Sequence, residues 1–600
     1  MSAQTLPHWD MSTVYLGLQS PEFERDLQAF FQSIDELAAL FDQRQINAQT
    51  PGPLKDQTKQ AFELILDRLN RVLERRRLLF AYVASFVTTD SRDALAQAKL
   101  SQLQQHAVKL TQLVTRWVAW LGSLDVEALI QRSAIAQTHA FMLRKAKRQA
   151  KHLMSPAEEA LAAELNLTGG EAWQNLYGSY SSQLMVPVKL KEKTKVMPMS
   201  AVRNLAYDAD RSVRRSAYKA ELQAWEKSEL PIAFALNGVK GEYQALARRR
   251  GWGSPLEVAL FDNHIDRAAL DAMLDAARES FPDFRRYLKV KAKALRVKAL
   301  AWYDLFAPLG KERKWSFGAA QDFIVEQFGT FSPKMRALAQ RAFQERWIDA
   351  QPREGKRDGA FCMPLRRDES RILSNYKPSY GGVSTLAHEL GHAYHNLNLS
   401  SQPTEFLRDE PMTLAETASI FCETIARKAA LKGAPVQEQI AILEASLQGS
   451  CQVVVDITSR FLFEQGVFDQ RRERELSAQE FKTLMLDAQR RTYGDGLDQG
   501  MLHPYMWAVK PHYYRASESF YNFPYMFGLL FALGLYAQYE QDAARFKGRY
   551  DQLLASTGTA DAATLAQGFG MDIRKREFWR SSLDVIRQDI RRFEALIVEK

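Results

Sequence analysis

Apolar residues recur at three- and four-residue spacing through most of the chain, the signature of helices with one buried face. Over Pro21–Gln43, Gln57–Val87, Ala94–Leu121 and Val126–Met154 this spacing predicts long amphipathic helices. Ser20-Pro21 and Ser155-Pro156 each set a capping hydroxyl ahead of a first-turn proline, which marks two helix starts. Two regions break the period. Gln183–Met199 alternates apolar residues with lysines around Pro187 and Pro198, which predicts a hairpin or an irregular crossover. Gly355–Gly382 mixes glycine, proline, charge and short β-branched runs, so loops with one or two short strands should lead straight into a helix.

The expected fold class is therefore all-α, with little sheet. Glycine (30) and proline (21) are sparse for 600 residues, against an average of ~12% together. The segment Thr168–Ser200 is the best candidate for a boundary. It divides an N-terminal helical lobe, residues 1–190, from a second region, 191–600.

Composition narrows the classes. The chain is 46% hydrophobic and 25% charged, which suits a soluble globular protein and not a disordered, fibrous or polytopic membrane one. Ser519–Tyr539 carries no charge and approaches the ~20 residues of a spanning helix. Asn522 and Pro524 interrupt it, so a buried core helix is expected and no membrane partner. The three cysteines, Cys362, Cys422 and Cys451, are too few for a disulfide framework. The first twenty residues lack the charged and apolar regions of a secretory signal, and the cytoplasm is the expected compartment. The formal charge is +9. The basic runs Arg144–Lys151, Lys189–Lys195, Arg248–Arg250 and Arg285–Lys298 are scattered and lack interleaved aromatics. They read as solvated helix faces, with no nucleic-acid partner expected.

Candidate chemistry lies in the histidines. Ten are spread over the chain, yet His388, His392 and His395 fall within eight positions. Residues four apart share a helix face, so His388 and His392 can reach one metal ion while Glu389 stands beside them to polarise a water. A catalytic zinc site takes three protein ligands and leaves a position for water. The extended motif with a third histidine is excluded, because His395 replaces its glycine and Asn398 its last histidine. A carboxylate must then come from further along, and Glu405, Asp409, Glu410, Glu416 and Glu423 are available. Glu416 is the best placed, at the start of a helix running to about Leu431, with Glu423 two turns on and on the same face. One of the pair can ligate while the other orients a histidine ring. The competing role for Glu416 is a capping box with Thr413.

At these residues the chain resembles a known family. Ser370–Tyr376, Thr385–His392 and Ala415–Ser419 are similar to the core of oligoendopeptidase F, a relative of thimet oligopeptidase among the zinc oligopeptidases. Lys356–Phe361, Asp210–Tyr218 and Phe520–Gly528 extend the likeness, which covers about Ser155 to the C-terminus. The resemblance implies two helical lobes around a deep channel that admits short unfolded peptides. It also implies a small β-sheet beside the active-site helix, whose edge, within Gly355–Tyr376, pairs with the peptide backbone.

Carried over, His388, His392 and Glu416 hold one zinc ion per chain, Glu423 supports them, and Glu389 is the general base toward a zinc-activated water. His512, Tyr521 and Tyr525 match the family's donors to the oxyanion. The glycines of the thimet-type loop are missing here, since Tyr513–Phe520 has none. His395 and His503 read as structural. The expected function is a zinc endopeptidase on short oligopeptides. The alternatives are a carboxypeptidase or dipeptidyl carboxypeptidase on the same scaffold and, more distantly, a non-catalytic polyanion-binding scaffold. Cleavage preference and oligomeric state are not legible.

Overall fold

The computed structural model describes residues 6–48, 52–191 and 193–598. Its N-terminal part is built on α1 (Pro21–Gln43), α2 (Asp56–Thr89) and α3 (Ala94–Ser123). On α1 the buried side chains are Phe23, Leu27, Phe30, Ile34, Leu37 and Phe41, the three-and-four rhythm of one apolar stripe. Ser20 Oγ accepts from the Phe23 amide at the helix start, as its sequence indicates. Ser155 likewise caps its helix, in a reciprocal capping box with Glu158.

The helix expected over Val126–Met154 is instead three short ones, Val126–Arg132, Ala134–Thr138 and Ala140–Ala150. Ser133 is extended (φ −134°, ψ 119°) and its hydroxyl accepts from the Ala136 amide. A serine hydroxyl that bonds the backbone locally competes with helix continuation. The apolar period survives because Leu129, Ala136, Leu143 and Ala146 all enter the same core.

A second, larger core runs from Tyr177 to Phe593. Its framework includes α4 (Arg211–Arg249) and α5 (Arg267–Ala294). The alternating segment forms a hairpin of β1 (Met185–Leu190) and β2 (Lys193–Pro198), antiparallel with Val186 opposite Met197. Val186 and Val188 are buried in the larger core, while Lys189, Lys193 and Lys195 stay exposed. The basic runs are partly neutralised: Arg144 pairs with Glu127, Arg250 with Glu159, Lys289 with Asp495 and Lys291 with Glu444.

Between the cores lies a three-stranded sheet of β3 (Ile348–Asp349), β4 (Phe361–Arg366) and β5 (Glu369–Leu373) in the order β3-β5-β4. β4 is antiparallel to β5, with a register shift at Pro364/Arg366, and has no second strand partner among the described residues. Leu365 of β4 enters the first core, whereas Cys362 packs on the second. Lys356 pins the loop before β4: its ammonium pairs with Asp349 at 2.7 Å and donates to the Gln351 and Ser374 carbonyls.

The loop leaving β5 leads into α6 (Tyr380–Leu399), capped by Ser379, whose hydroxyl accepts from the Gly382 amide. α6 packs along α7 (Thr417–Ala430). α8 (Phe523–Gln541) takes in most of the uncharged segment Ser519–Tyr539, and it is a core helix, with Phe527, Leu530, Phe531 and Leu535 buried. α9 (Arg576–Val598) covers it. The run Val436–Arg471 is long and apolar enough to cross a membrane, but 61% of its most apolar window is buried in the fold.

Candidate active site

His388 and His392 lie one turn apart on α6, with ring centroids 5.0 Å apart. Glu416, the residue just before α7, closes the group. Its Oε2 lies 3.2 Å from His388 Nε2 and 3.4 Å from His392 Nε2. One ligand atom from each of the three falls within 4.8 Å of the others. Two imidazole nitrogens and one carboxylate oxygen, converging at this distance, fit a divalent metal of zinc type with one position left for water.

Glu416 does not cap a helix with Thr413. That hydroxyl donates to the Asn263 carbonyl instead, and the short helix at Met412–Ala415 has no side-chain cap. Glu405 is engaged by Arg77 and Arg408. Neither Asp409 nor Glu410 joins the metal-binding group among the described residues.

The second carboxylate lies against the far side of the His388 ring. Glu423 Oε2 sits 3.2 Å from His388 Nδ1, and Ser384 Oγ donates to Glu423 Oε1 at 2.7 Å. A carboxylate on Nδ1 fixes the tautomer that presents Nε2 to a metal. Ser419 Oγ donates to Glu416 Oε2 at 2.6 Å and restrains that carboxylate too. Neither serine stands out in sequence.

The electrostatics are those of a buried cluster of opposite charges. Burial pushes His392 down to about 4. Burial also opposes charge on His388, but the hydrogen bonds and charges of Glu416 and Glu423 outweigh it and raise its pKa well above the ordinary value. Glu416 is itself depressed to about 2, because His388 and His392 overcome the effect of its burial. Glu389 is 6% exposed and its Oε2 has no hydrogen-bond partner. Burial raises its pKa to about 7, with the Glu416 and Glu423 charges adding to the rise. A buried carboxyl with one unbonded oxygen, poised near neutrality beside three convergent ligands, is equipped to accept and return a proton.

His512, Tyr521 and Tyr525 are brought together. The two tyrosine hydroxyls are 2.5 Å apart, and the His512 ring stacks on Tyr521 at 5.9 Å. α8, which carries Tyr525, meets the ligand set at Gly528, where a Cβ would lie 2.7 Å from the Glu416 Cβ. Burial, then the Tyr521 hydroxyl and nearby charges that include Glu416, push the Tyr525 hydroxyl well above its ordinary range. His512 is pushed down to about 2 by burial and by the Arg460 and Lys510 charges, and its Nε2 is buried without a hydrogen-bond partner.

His395 and His503 lie outside this group. His395 Nε2 bonds Thr557 Oγ1 at 2.8 Å, and His503 Nε2 faces Glu221 at 3.4 Å.

Residues 204–585 match the profile of peptidase family M3, and residues 121–185 match that of Oligopeptidase F. The chain belongs to peptidase family M3. This M3 chain is 22% identical over 610 residues to an oligoendopeptidase F homolog of Lactococcus lactis, covering 98% of this chain and 97% of the relative. It is 21% identical over 558 residues to the oligopeptidase PepF of Bacillus subtilis, covering 91% and 82%. Its fold is shared with a Chlamydophila abortus protein assigned as a peptidase, at a TM-score of 0.82, 21% identity and 98% coverage of both chains. Oligoendopeptidase-F of Enterococcus faecium superposes at a TM-score of 0.70 with 18% identity, covering 96% and 99%. The M3 chain is accordingly a metallopeptidase acting on peptides, with a predominantly helical fold and small sheets.

Proposed function

We propose that this M3 peptidase is a zinc endopeptidase that cuts internal bonds of short, unfolded oligopeptides. The observation that carries the reading is the convergence of His388, His392 and Glu416 beside the buried carboxyl of Glu389, whose Oε2 has no hydrogen-bond partner. The names of the Lactococcus and Bacillus relatives support action within oligopeptides.

His388, His392 and Glu416 would hold the zinc ion, which when bound would supply Lewis acidity toward a water and the scissile carbonyl. The chain's own residues do the rest. Glu389 accepts the proton of the attacking water and returns it to the leaving amine. Glu423 holds His388 in register. The Tyr525 and Tyr521 hydroxyls and the neutral His512 ring offer donors to the oxygen on which charge develops. The free edge of β4 takes the peptide as an added strand. The division into an N-terminal lobe, 1–190, and a catalytic region, 191–600, with the substrate channel between them, belongs to this reading; Tyr177, Val186 and Val188, just before the division, pack in the larger core. Three free cysteines suit a reducing compartment, and the cytoplasm is the proposed location.

The test is a mixture of short peptides incubated with the wild type and with Glu389→Gln, read by mass spectrometry. Internal cuts that vanish in the variant support the reading. Cuts confined to C-termini would turn it into a carboxypeptidase, and unchanged cleavage by Glu389→Gln would overturn the assigned base.

A further inference from the structure

Tyr521 stands in a turn whose neighbours are each held from outside the segment. Ser519 Oγ accepts from Lys240 Nζ at 3.1 Å, and that buried ammonium is paired with Glu464 at 2.5 Å. Asn522 Oδ1 accepts from Arg460 at 3.0 Å, and a second nitrogen of the buried guanidinium pairs with Asp456. Phe520 has φ +56°, a left-handed conformation uncommon for a bulky side chain. Its buried ring lies against Phe461 and Phe468, at centroid distances of 5.3 and 5.5 Å.

Arg460, Phe461, Glu464 and Phe468 all belong to one helix, Ile457–Arg471. It is preceded by the π-helical turn Gln452–Asp456. Such a turn shifts the register of the side chains beyond it and recurs at functional sites.

We infer that helix Ile457–Arg471 is a template that fixes the position and direction of Tyr521 against Tyr525 and His512, with Arg460 and Asn522 as positioning residues. A left-handed phenylalanine persists only where its surroundings over-determine it. Here the determinants are a hydrogen bond on the residue before, two aromatic contacts on the residue itself and a hydrogen bond two residues after. Tyr521 is left with its ring over the Arg515 guanidinium at 4.0 Å and its hydroxyl on Tyr525. The inference rests on the reading of Tyr521 and Tyr525 as donors in the proposed reaction, and the experiment separates the two.

The experiment uses the full chain loaded with zinc and an internally quenched short peptide. It compares Asn522→Ala, Asn522→Asp, Phe520→Gly, Tyr521→Phe and the double variant Tyr521→Phe/Asn522→Ala. Arg460 stays in place, so that its charge remains paired with Asp456. Asn522→Ala is expected to lower kcat about 10- to 100-fold, the scale of an ångström-level misplacement, with KM and bound metal unchanged. Asn522→Asp, which keeps an acceptor, recovers most of the loss. The double variant is no slower than Tyr521→Phe, and the Tyr521 signal in 13C-tyrosine NMR spectra broadens in Asn522→Ala. If Asn522→Ala does not fold, Phe520→Gly carries the same comparison.

Losses that multiply in the double variant would overturn the positioning role. So would a wild-type rate in both Asn522→Ala and Phe520→Gly when Tyr521→Phe is slow. A wild-type rate in Tyr521→Phe would remove the donor reading and this inference with it.

Discussion

Gly391 rests directly on Ser419: a Cβ at position 391 would stand 2.5 Å from the Ser419 Cα and 2.6 Å from the Ala418 carbonyl oxygen. Those are backbone atoms of α7, which cannot swing aside as a side chain would. The glycine between His388 and His392 thus sets how closely the two ligand-bearing helices approach, and with it the distance from the histidines to Glu416. Gly391→Ala should force α6 and α7 apart at a cost of about 1–3 kcal/mol. Thermal unfolding and metal content after dialysis check this. A variant that unfolds and binds zinc like the wild type would refute the close-approach account.

Glu423 touches the ligand set at His388 Nδ1. Removing its negative charge in Glu423→Gln leaves the three ligands in place and weakens the hold on the ring. Zinc affinity should fall about 10- to 100-fold, as measured by competition with a chelating dye. Most of the activity should return when zinc is supplied in excess, because Glu389 stays in place and its burial, the main cause of its raised pKa, is unchanged. Activity that stays low at saturating zinc would give Glu423 a different role.

Metal should also stabilise the fold. A ligand that binds only the native state adds stability with the logarithm of its free concentration, about 4 kcal/mol at a thousandfold excess over Kd. The midpoint of thermal unfolding of the stripped protein should therefore climb with added zinc. In Glu416→Ala, which lacks one of the three ligands, that climb should be largely lost. An equal climb in both proteins would place the stabilising metal elsewhere.

Away from the metal, Glu221 ties folding to acid. Burial would raise its pKa, but Arg203 and His503 outweigh burial and bring it down to about 2 from an ordinary 4.5. A depressed carboxyl contributes stability above its unfolded pKa and loses it as pH falls through the folded one. The contribution is about 3 kcal/mol, at ~1.4 kcal/mol for each tenfold change in proton affinity. It should drain away between pH 4.5 and 2. Urea unfolding of the wild type and Glu221→Gln across that range should show a shallower acid decline in the variant. Parallel curves would contradict the assignment.

Much of this protein is legible locally. His388, Glu389 and His392 can be found in the sequence because a four-residue spacing on a helix is a fixed geometric relation, independent of the rest of the chain. The same holds for the Ser20 and Ser155 caps and for the alternation of valines and lysines in β1 and β2. Glu416 is a step further. Its helix and the seven-residue spacing to Glu423 are local, but its approach to α6 is not, and a capping box with Thr413 is an equally local alternative.

What local periodicity could not supply depends on contacts between distant residues. Ser133 interrupts a helix whose apolar rhythm never falters, because its hydroxyl bonds the backbone while the hydrophobic positions stay in phase. Gly391 and Gly528 matter only for what stands opposite them, and Ser384 only because Glu423 folds back onto it. The turn at Tyr521 is held by Arg460, Phe461 and Phe468, and by Lys240, which lies 279 positions from the serine it bonds. Spacing along a chain specifies which side chains share a face; which faces meet, and how closely, follows from the packing of whole helices against one another.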